Sequence, residues 1–235
     1  MIELTLSRLG EEALDTRSCA PDIARATLRD IAISNALFGG RSAAAFGLRL
    51  LLQKIPAPAH PLILLDLGAG SGDIARHLTR RARTAGVDLI PVAVDTHRTA
   101  ARLCRAAGLH TVIADAAALP FRDRSVDIVL VSQFLHHFTR ETAAMLVQAL
   151  HRLARVGVIV ADARRTAAAA AGIWLASHVL RFHPTTRHDG VLSVRRSFTA
   201  AELASLLAAG GVRAQVHRRP GFRLVAAWRT PGAQA

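Results

Sequence analysis

The sequence predicts an α/β protein with a doubly wound, mostly parallel sheet of seven strands and helices on both faces. Three observations carry this prediction. Apolar segments of strand length alternate with helical segments between Leu62 and Ala161. A glycine-rich stretch, Gly68–Gly72, joins the first of these strands to the helix that follows it. Near the end of the sequence, two strand-like segments flank a turn at Pro220–Gly221 and predict a closing antiparallel hairpin.

The predicted strands are short apolar runs bounded by turn residues. The first contains a single polar residue, Asp66, as expected for a strand buried on both faces. In order, the predicted strands are Leu62–Leu67, Leu89–Val94, Thr111–Ala114, Val126–Val131, Gly157–Ala161, Val212–His217 and Phe222–Trp228. Because strands and helices alternate, right-handed crossovers between parallel strands are expected.

The predicted helices combine apolar periodicity with residues that favour helix ends. Ser18 or Asp22 can cap the first helix, and Thr199 and Glu202 form a capping box for the last. The helices are predicted at Ile23–Leu37, Ser42–Lys54, Ser71–Thr84, Arg98–Ala107, Glu141–Ala154, Ala163–Leu180 and from Thr199 to Ala209. The polar segment Pro184–Arg196 predicts irregular structure.

These elements divide the chain into two predicted parts. Residues 1–58 are expected to form an N-terminal helical cap, ended by prolines that stiffen the connection to the first strand. Residues 59–235 are expected to form the ligand-binding α/β domain. An insert at about residues 162–196 is longer than a simple crossover needs, so it is the expected lid over a site.

Composition restricts the class of partner. The formal net charge is +13, which is compatible with nucleic acid or a membrane surface. However, the arginines are scattered and tyrosine is absent, so bases would find few stacking platforms, and nucleic-acid binding is not expected. Cys19 and Cys104 lie far apart and show neither a disulfide framework nor zinc spacing. No secretory signal or transmembrane segment is recognised, which predicts a cytoplasmic protein. A monomer or a homodimer is expected.

The glycine-rich stretch favours a ligand without phosphate. A dinucleotide fingerprint needs glycine at position 73, where this chain has Asp73. Asp66 lies two residues before the first glycine, and a carboxylate at that point repels phosphate. The stretch instead suits a ligand that carries positive charge.

The sequence D-L-G-A-G-S-G resembles the first motif of the class I S-adenosylmethionine (SAM)-dependent methyltransferases. The stretch Asp115–Phe121 and the "LHH" motif of Leu135–His137 resemble the branch that includes ubiquinone and menaquinone biosynthesis enzymes and small-molecule O-methyltransferases. The resemblance implies a Rossmann-like fold, SAM as cofactor and S-adenosylhomocysteine as product. The implied cofactor residues are Asp66, Gly68, Ala69, Gly70, Gly72, Asp95, Thr96, Asp115, Ala116, Ser132, Gln133 and, at the carboxylate of SAM, Arg41.

The resemblance also implies candidate catalytic residues. His136 and His137 follow the fourth strand, and Asp162 ends the fifth, which places them at neighbouring points of one sheet edge. Histidine titrates in the range useful for taking a hydroxyl proton, so His136 or His137 is the expected base, oriented by Asp162. The alternative is that one histidine only packs against the helix that follows, and this alternative stays open.

The expected lid supplies candidate acceptor-binding residues, which are Arg164, Arg165, Trp174, His178, Arg187 and His188. Arginines could meet an anionic group of the acceptor, and the alternative is that they are solvated loop charges. His183, His188 and Asp189 could imitate a metal site, but their spacing matches no metal motif, and no metal is predicted.

The function expected from these features is methyl transfer from SAM to a small molecule, at a hydroxyl oxygen of a phenolic, polyketide or lipid-like compound. C-methylation of a quinone-like ring remains an alternative, since an activating hydroxyl would need the same base. An RNA or DNA methyltransferase is an alternative of another class, although Ser132–Leu135 replaces the Asn/Asp-Pro-Pro-aromatic motif expected there. A non-catalytic SAM-binding protein is the third possibility.

Overall fold

The computed structural model describes residues 10–16, 18–53, 58 and 60–231. Strands occupy β1 (Leu62–Leu67), β2 (Leu89–Asp95), β3 (His110–Ile113), β4 (Val126–Ser132), β5 (Ala154–Ala163), β6 (Val216–Arg219) and β7 (Arg223–Arg229). Helices occupy α1 (Pro21–Leu37), α2 (Gly40–Leu52), α3 (Asp73–Arg83), α4 (Arg98–Ala106), α5 (Arg140–Leu153), α6 (Ala167–Val179), α7 (Pro184–Arg196) and α8 (Ala200–Ala209). Three short 3-10 helices lie at Ala13–Asp15, Ala116–Ala118 and Leu135–His137.

The sheet has the order β3-β2-β1-β4-β5-β7-β6. Strands β1 to β5 are parallel to their neighbours, and β7 runs antiparallel to both β5 and β6. The order reverses at β1, with β2 on one side and β4 on the other, and open α/β sheets bind ligands at this switch point. The predicted seven-stranded, Rossmann-like sheet with its closing hairpin is confirmed.

Apolar side chains leave both faces of the sheet, as expected for a doubly wound fold. Leu65 and Val129 pack with α5 and α8 in one core, whereas Leu64 and Ile128 pack with α2 and α3 in the other. The helix α2, predicted as part of a cap, therefore shares a core with the sheet. No helix in the described part of the chain is both long and apolar enough to cross a membrane.

Several element boundaries differ from the prediction. Pro184–Arg196, predicted irregular, forms α7, because Pro184 suits the first helical turn and His183 Nδ1 accepts a hydrogen bond from the Thr185 amide. Ala163 is not helical, because it extends β5 by pairing with Arg223. Strand β6 begins at Val216 rather than at position 212. The predicted end of the second helix, Lys54, lies outside the described residues.

Candidate active site

A cavity of about 370 Å³ opens at the carboxyl edge of the sheet, beside the switch point. Its wall consists of the β1–α3 loop, the ends of β2 and β4, part of α1 and the segment around Ala13–Asp15. Every predicted cofactor residue except Gly72 and Arg41 contributes to this wall. Of the predicted catalytic residues, His136 and His137 line the cavity, and Asp162 lies behind His136.

The β1–α3 loop follows a path that glycine permits. Gly68, Gly70 and Gly72 have φ values of 69°, 56° and 71°, in the left-handed region that glycine favours. A Cβ at Gly68 would lie 2.5 Å from the ring of Phe134, so the loop can approach the end of β4 only without a side chain there. At Gly72 a Cβ would lie 2.3 Å from Leu109, so this glycine serves packing behind the loop.

Asp95 connects the loop to the end of β2. Its Oδ2 accepts a hydrogen bond from the Gly70 amide at 2.9 Å, and its Oδ1 accepts one from the His97 amide at 2.8 Å. Burial raises the pKa of this carboxyl group, and the backbone donors oppose the rise. Asp115, at the next strand end, accepts from the Ala117 amide at 3.0 Å and caps a short 3-10 helix.

Carboxyl groups dominate the charge at the end of the cavity beside the β1–α3 loop. Asp66 is 2% exposed, and burial together with the nearby Asp73 and Asp95 raises its pKa well above the ordinary value. Burial also raises the pKa of Asp73. A positively charged ligand would stabilise the ionised forms of all three groups, so this end of the cavity favours a cationic ligand.

Arg41, predicted at the cofactor carboxylate, is instead paired with Asp73 at 3.0 Å and is not part of the cavity wall. Asn35 donates to the other oxygen of Asp73 at 3.2 Å and accepts from Gln133 Nε2. Gln133 in turn accepts from Arg223 Nη1 at 2.6 Å. This chain of polar side chains ties α1 and α2 to the ends of β4 and β7.

His136 and Asp162 form a buried pair. His136 Nδ1 and Asp162 Oδ1 are 2.7 Å apart, and the two residues are 2% and 1% exposed. Burial lowers the pKa of His136, but the charge and hydrogen bond of Asp162 outweigh it, so the pKa is raised. Nε2 of His136 has no hydrogen-bond partner among the described residues. Nε2 of His136 is therefore available to bind a ligand or to accept a proton.

His137 is held from the N-terminal side. Its Nδ1 lies 2.6 Å from Asp15 Oδ1. Burial raises the pKa of Asp15, but His137, the Glu12 amide and Arg196 together outweigh burial and bring that pKa down to about 2. The buried guanidinium of Arg196 reaches Glu12 Oε1 at 3.1 Å and Asp15 Oδ2 at 3.0 Å. Residues 12–15 and α7 therefore complete the end of the cavity at His136 and His137, which is called the acceptor end below, after the acceptor site expected there.

The sequence prediction did not identify Glu12 and Asp15 as site residues, nor Ser193 and Arg196 of α7. Ser193 Oγ donates to Glu12 Oε1 at 2.8 Å and lines the cavity. Residues 12 and 196 meet across a separation of 184 positions, so local patterns carry no signal for their contact. The nearest available signal was the acidic stretch ahead of the first helix.

The predicted acceptor residues of the 162–196 insert lie away from the cavity wall formed by the described residues. Arg165 pairs with Glu202, and Trp174 is 55% exposed. The others bond or stack locally: Arg164 lies over the Phe222 ring, His178 Nδ1 donates to the Trp174 carbonyl, Arg187 donates to the Phe182 carbonyl, and His188 pairs with Asp189. The insert reaches the cavity through Ser193 and, behind it, Arg196 of α7.

Comparisons with known proteins find methyltransferases. The methyltransferase domain family (Methyltransf_11) matches residues 65–162. Malonyl-[acyl-carrier protein] O-methyltransferase of Halorhodospira halophila is 39% identical over 111 residues, which are 46% of this chain and 35% of that protein. The chain thus matches about a third of the length of that relative.

Solved structures share the fold. Human N-acetylserotonin methyltransferase in complex with SAM aligns with a TM-score of 0.61 at 11% identity, over 95% of this chain and 63% of that chain. An O-methyltransferase family 2 protein from Planctomyces limnophilus in complex with apigenin aligns with a TM-score of 0.56 at 19% identity, over 93% and 65%. Residues 65–162 thus match the methyltransferase domain family, and the described part of the chain shares the fold of solved methyltransferases.

Proposed function

We propose that the protein transfers the methyl group of SAM to a hydroxyl oxygen of a small phenolic, polyketide or lipid-like acceptor. One observation carries the proposal: a buried histidine–aspartate pair lines the same cavity as the glycine loop and the acidic strand ends. The curated relative is named as an O-methyltransferase, and one structural neighbour is described with the phenol apigenin bound. Both names support an oxygen acceptor.

The cofactor end of the cavity suits SAM. The glycine loop lines the cavity beside Asp66, Asp73 and Asp95, and these carboxyl groups suit the positive sulfonium and ammonium groups of SAM. Asp95 and Asp115 lie at the ends of β2 and β3, where the ribose and adenine edges are expected. When bound, SAM supplies an activated methyl group on a positively charged sulfur.

His136 supplies the proton acceptor. Asp162 accepts a hydrogen bond from His136 Nδ1, which fixes the tautomer with its lone pair on Nε2. Nε2 takes the proton of the acceptor hydroxyl as the oxygen forms its bond to the methyl carbon, and the carbon–sulfur bond breaks to leave neutral S-adenosylhomocysteine. Asp162 stabilises the imidazolium that results. Placement of the two reactants in one cavity contributes the rest of the rate enhancement.

Substitution of the pair tests this assignment. We expect His136→Ala to lower turnover on a panel of phenols and hydroxylated polyketides by at least ~100-fold, because general bases contribute about 10²–10⁴-fold. Asp162→Asn should lower turnover by a similar order, because the asparagine amide can donate to His136 Nδ1 and so stabilise the tautomer with its proton on Nε2. The measurement is methyl transfer from radiolabelled SAM, with S-adenosylhomocysteine affinity followed by calorimetry.

His110→Ala is the matched control, since this histidine is exposed at the start of β3. It should keep native turnover. Native turnover in His136→Ala would refute the role of His136 as the base. Loss of S-adenosylhomocysteine binding in this variant would show damage to the cofactor site instead. Mass spectrometry and NMR of the product distinguish an O-methyl from a C-methyl group, and a ring C-methyl product would favour the quinone-like alternative.

A further inference from the structure

Three potential metal-ligating side chains converge at the acceptor end of the cavity. Glu12, His136 and His137 each bring one ligand atom to a point where all three atoms lie within 4.8 Å of one another. All three residues line the cavity. Two imidazoles and one carboxylate form a donor set that divalent transition metals bind, with positions left for other ligands.

Each of the two histidines contacts a carboxylate through Nδ1, as metal-binding histidines commonly do. His136 Nδ1 lies 2.7 Å from an oxygen of Asp162, and His137 Nδ1 lies 2.6 Å from an oxygen of Asp15. The two rings stack with centroids 4.5 Å apart and planes 25° apart. A carboxylate on one ring nitrogen orients the imidazole and makes the other nitrogen a stronger ligand. In both residues that other nitrogen is Nε2.

The atoms of the cluster are spaced for a shared ion rather than for a hydrogen bond. His136 Nε2 is buried without a hydrogen-bond partner in the described residues, and it lies 3.8 Å from Glu12 Oε1. That distance is too long for a hydrogen bond. Two ligands that each lie about 2.1 Å from one tetrahedral ion are about 3.4 Å apart, so this pair must close by a few tenths of an ångström to share an ion.

The local charge also favours a cation. Glu12, Asp15 and Asp162 bring three carboxylates to this end, whereas Arg196 is the cation within salt-bridge distance of Glu12 and Asp15. Arg196 binds Glu12 through Oε1. Ser193 donates to the same oxygen, so an ion that binds Oε1 replaces one of these two donors.

We propose that Glu12, His136 and His137 bind one divalent transition-metal ion, with Zn²⁺ as the best match to the donor set. The ion takes the lone pair of His136 Nε2, and this nitrogen can then no longer accept a proton. Zn²⁺ is therefore an inhibitor of methyl transfer. The binding site stands on the geometry alone, whereas inhibition rests on the proposed function of His136.

Calorimetric titration of the chelator-treated full chain with Zn²⁺ tests the site. We expect one ion per chain, with affinity reduced by at least ~10-fold in Glu12→Gln and in His137→Ala, the range seen when metal sites lose supporting groups. His110→Ala, which changes an exposed histidine, should retain the native affinity. Equal affinity in the native protein and in Glu12→Gln and His137→Ala, or no binding, would overturn the site.

Two further measurements separate the possible failures. S-adenosylhomocysteine affinity, measured on the same variants, should stay native and so exclude a loss of fold as the cause. With an acceptor that the protein methylates, Zn²⁺ should lower turnover and a chelator should restore it. Full turnover with the ion bound would refute inhibition and leave the site intact. If no acceptor is methylated, the proposed function fails, yet the titration still reports on the metal.

Discussion

Gly68 brings the β1–α3 loop against Phe134. Its φ is positive, and a Cβ there would lie 2.5 Å from the ring of Phe134, so the site leaves no space for a side chain. Phe134 itself precedes the two histidines in the β4–α5 connection. A change at this glycine therefore acts on the loop and on the position of His136 together.

We expect Gly68→Ala to weaken S-adenosylhomocysteine binding by at least ~10-fold, because the left-handed backbone alone costs about 1–2 kcal/mol and the clash adds to it. Gly108→Ala is the matched control, since Gly108 has a φ of 78° but no atom within 4 Å of its Cβ position. The control should lose stability without losing affinity. Calorimetry and thermal unfolding measure the two effects, and equal affinities in both variants would contradict the role of the clash.

At the scale of elements, α1 contributes to the cofactor site through Asn35, which is 3% exposed. Asn35 joins Asp73, at the start of α3, to Gln133, which has a φ of 51° after β4. Arg223 of β7 donates to the same Gln133, and burial lowers the pKa of this arginine to about 10. Four elements thus share one polar network beside the cavity.

Removal of the Asn35 side chain should disturb the network from its centre. We expect Asn35→Ala to destabilise the fold by about 1–3 kcal/mol, because it leaves buried donors and acceptors unpaired. SAM affinity should fall as well, since Gln133 and Asp73 line the cavity. Ser42→Ala removes only an exposed local hydrogen bond and serves as the control in urea unfolding and calorimetry. A native unfolding midpoint in Asn35→Ala would contradict the role of the network.

The elements differ in how far the sequence predicts them. Buried strands such as Leu62–Leu67 are continuous apolar runs, so the sequence pattern alone predicts them. Helix α7 lacks that pattern, because its buried residues include the polar Thr186, Asp189 and Arg196. The acceptor end of the site escaped prediction for the same reason. Its contacts are ion pairs and hydrogen bonds between distant segments, which leave no periodic signal.

At the scale of the whole molecule, Arg196 links the first described segment to helix α7. Its guanidinium bonds Glu12 and Asp15 and approaches the carbonyl of His137 at 3.4 Å. Ala13 is fixed to the same helix, since its amide donates to Asp189 at 3.0 Å. The segment that closes the acceptor end is therefore anchored by charge as well as by packing.

We expect Arg196→Met to destabilise the protein by about 3–5 kcal/mol, because removal of one partner of a buried ion pair leaves the other charges unpaired. The neighbouring Arg195 is exposed, so Arg195→Met should shift the urea midpoint little. Equilibrium unfolding in urea checks both variants. The same midpoint in the two proteins would show that the buried pairs contribute nothing net.

The position of β7 has a consequence for how the protein is made. Among the described strands β6 pairs only with β7, and β7 inserts between β5 and β6 although it is synthesised after both. Strands β1 to β5 can pair in turn as they leave the ribosome, so the cofactor half can assemble during translation. Arg223, which reaches Gln133 from β7, arrives last. A nascent chain that ends before β7 therefore lacks the contact of Arg223 with Gln133.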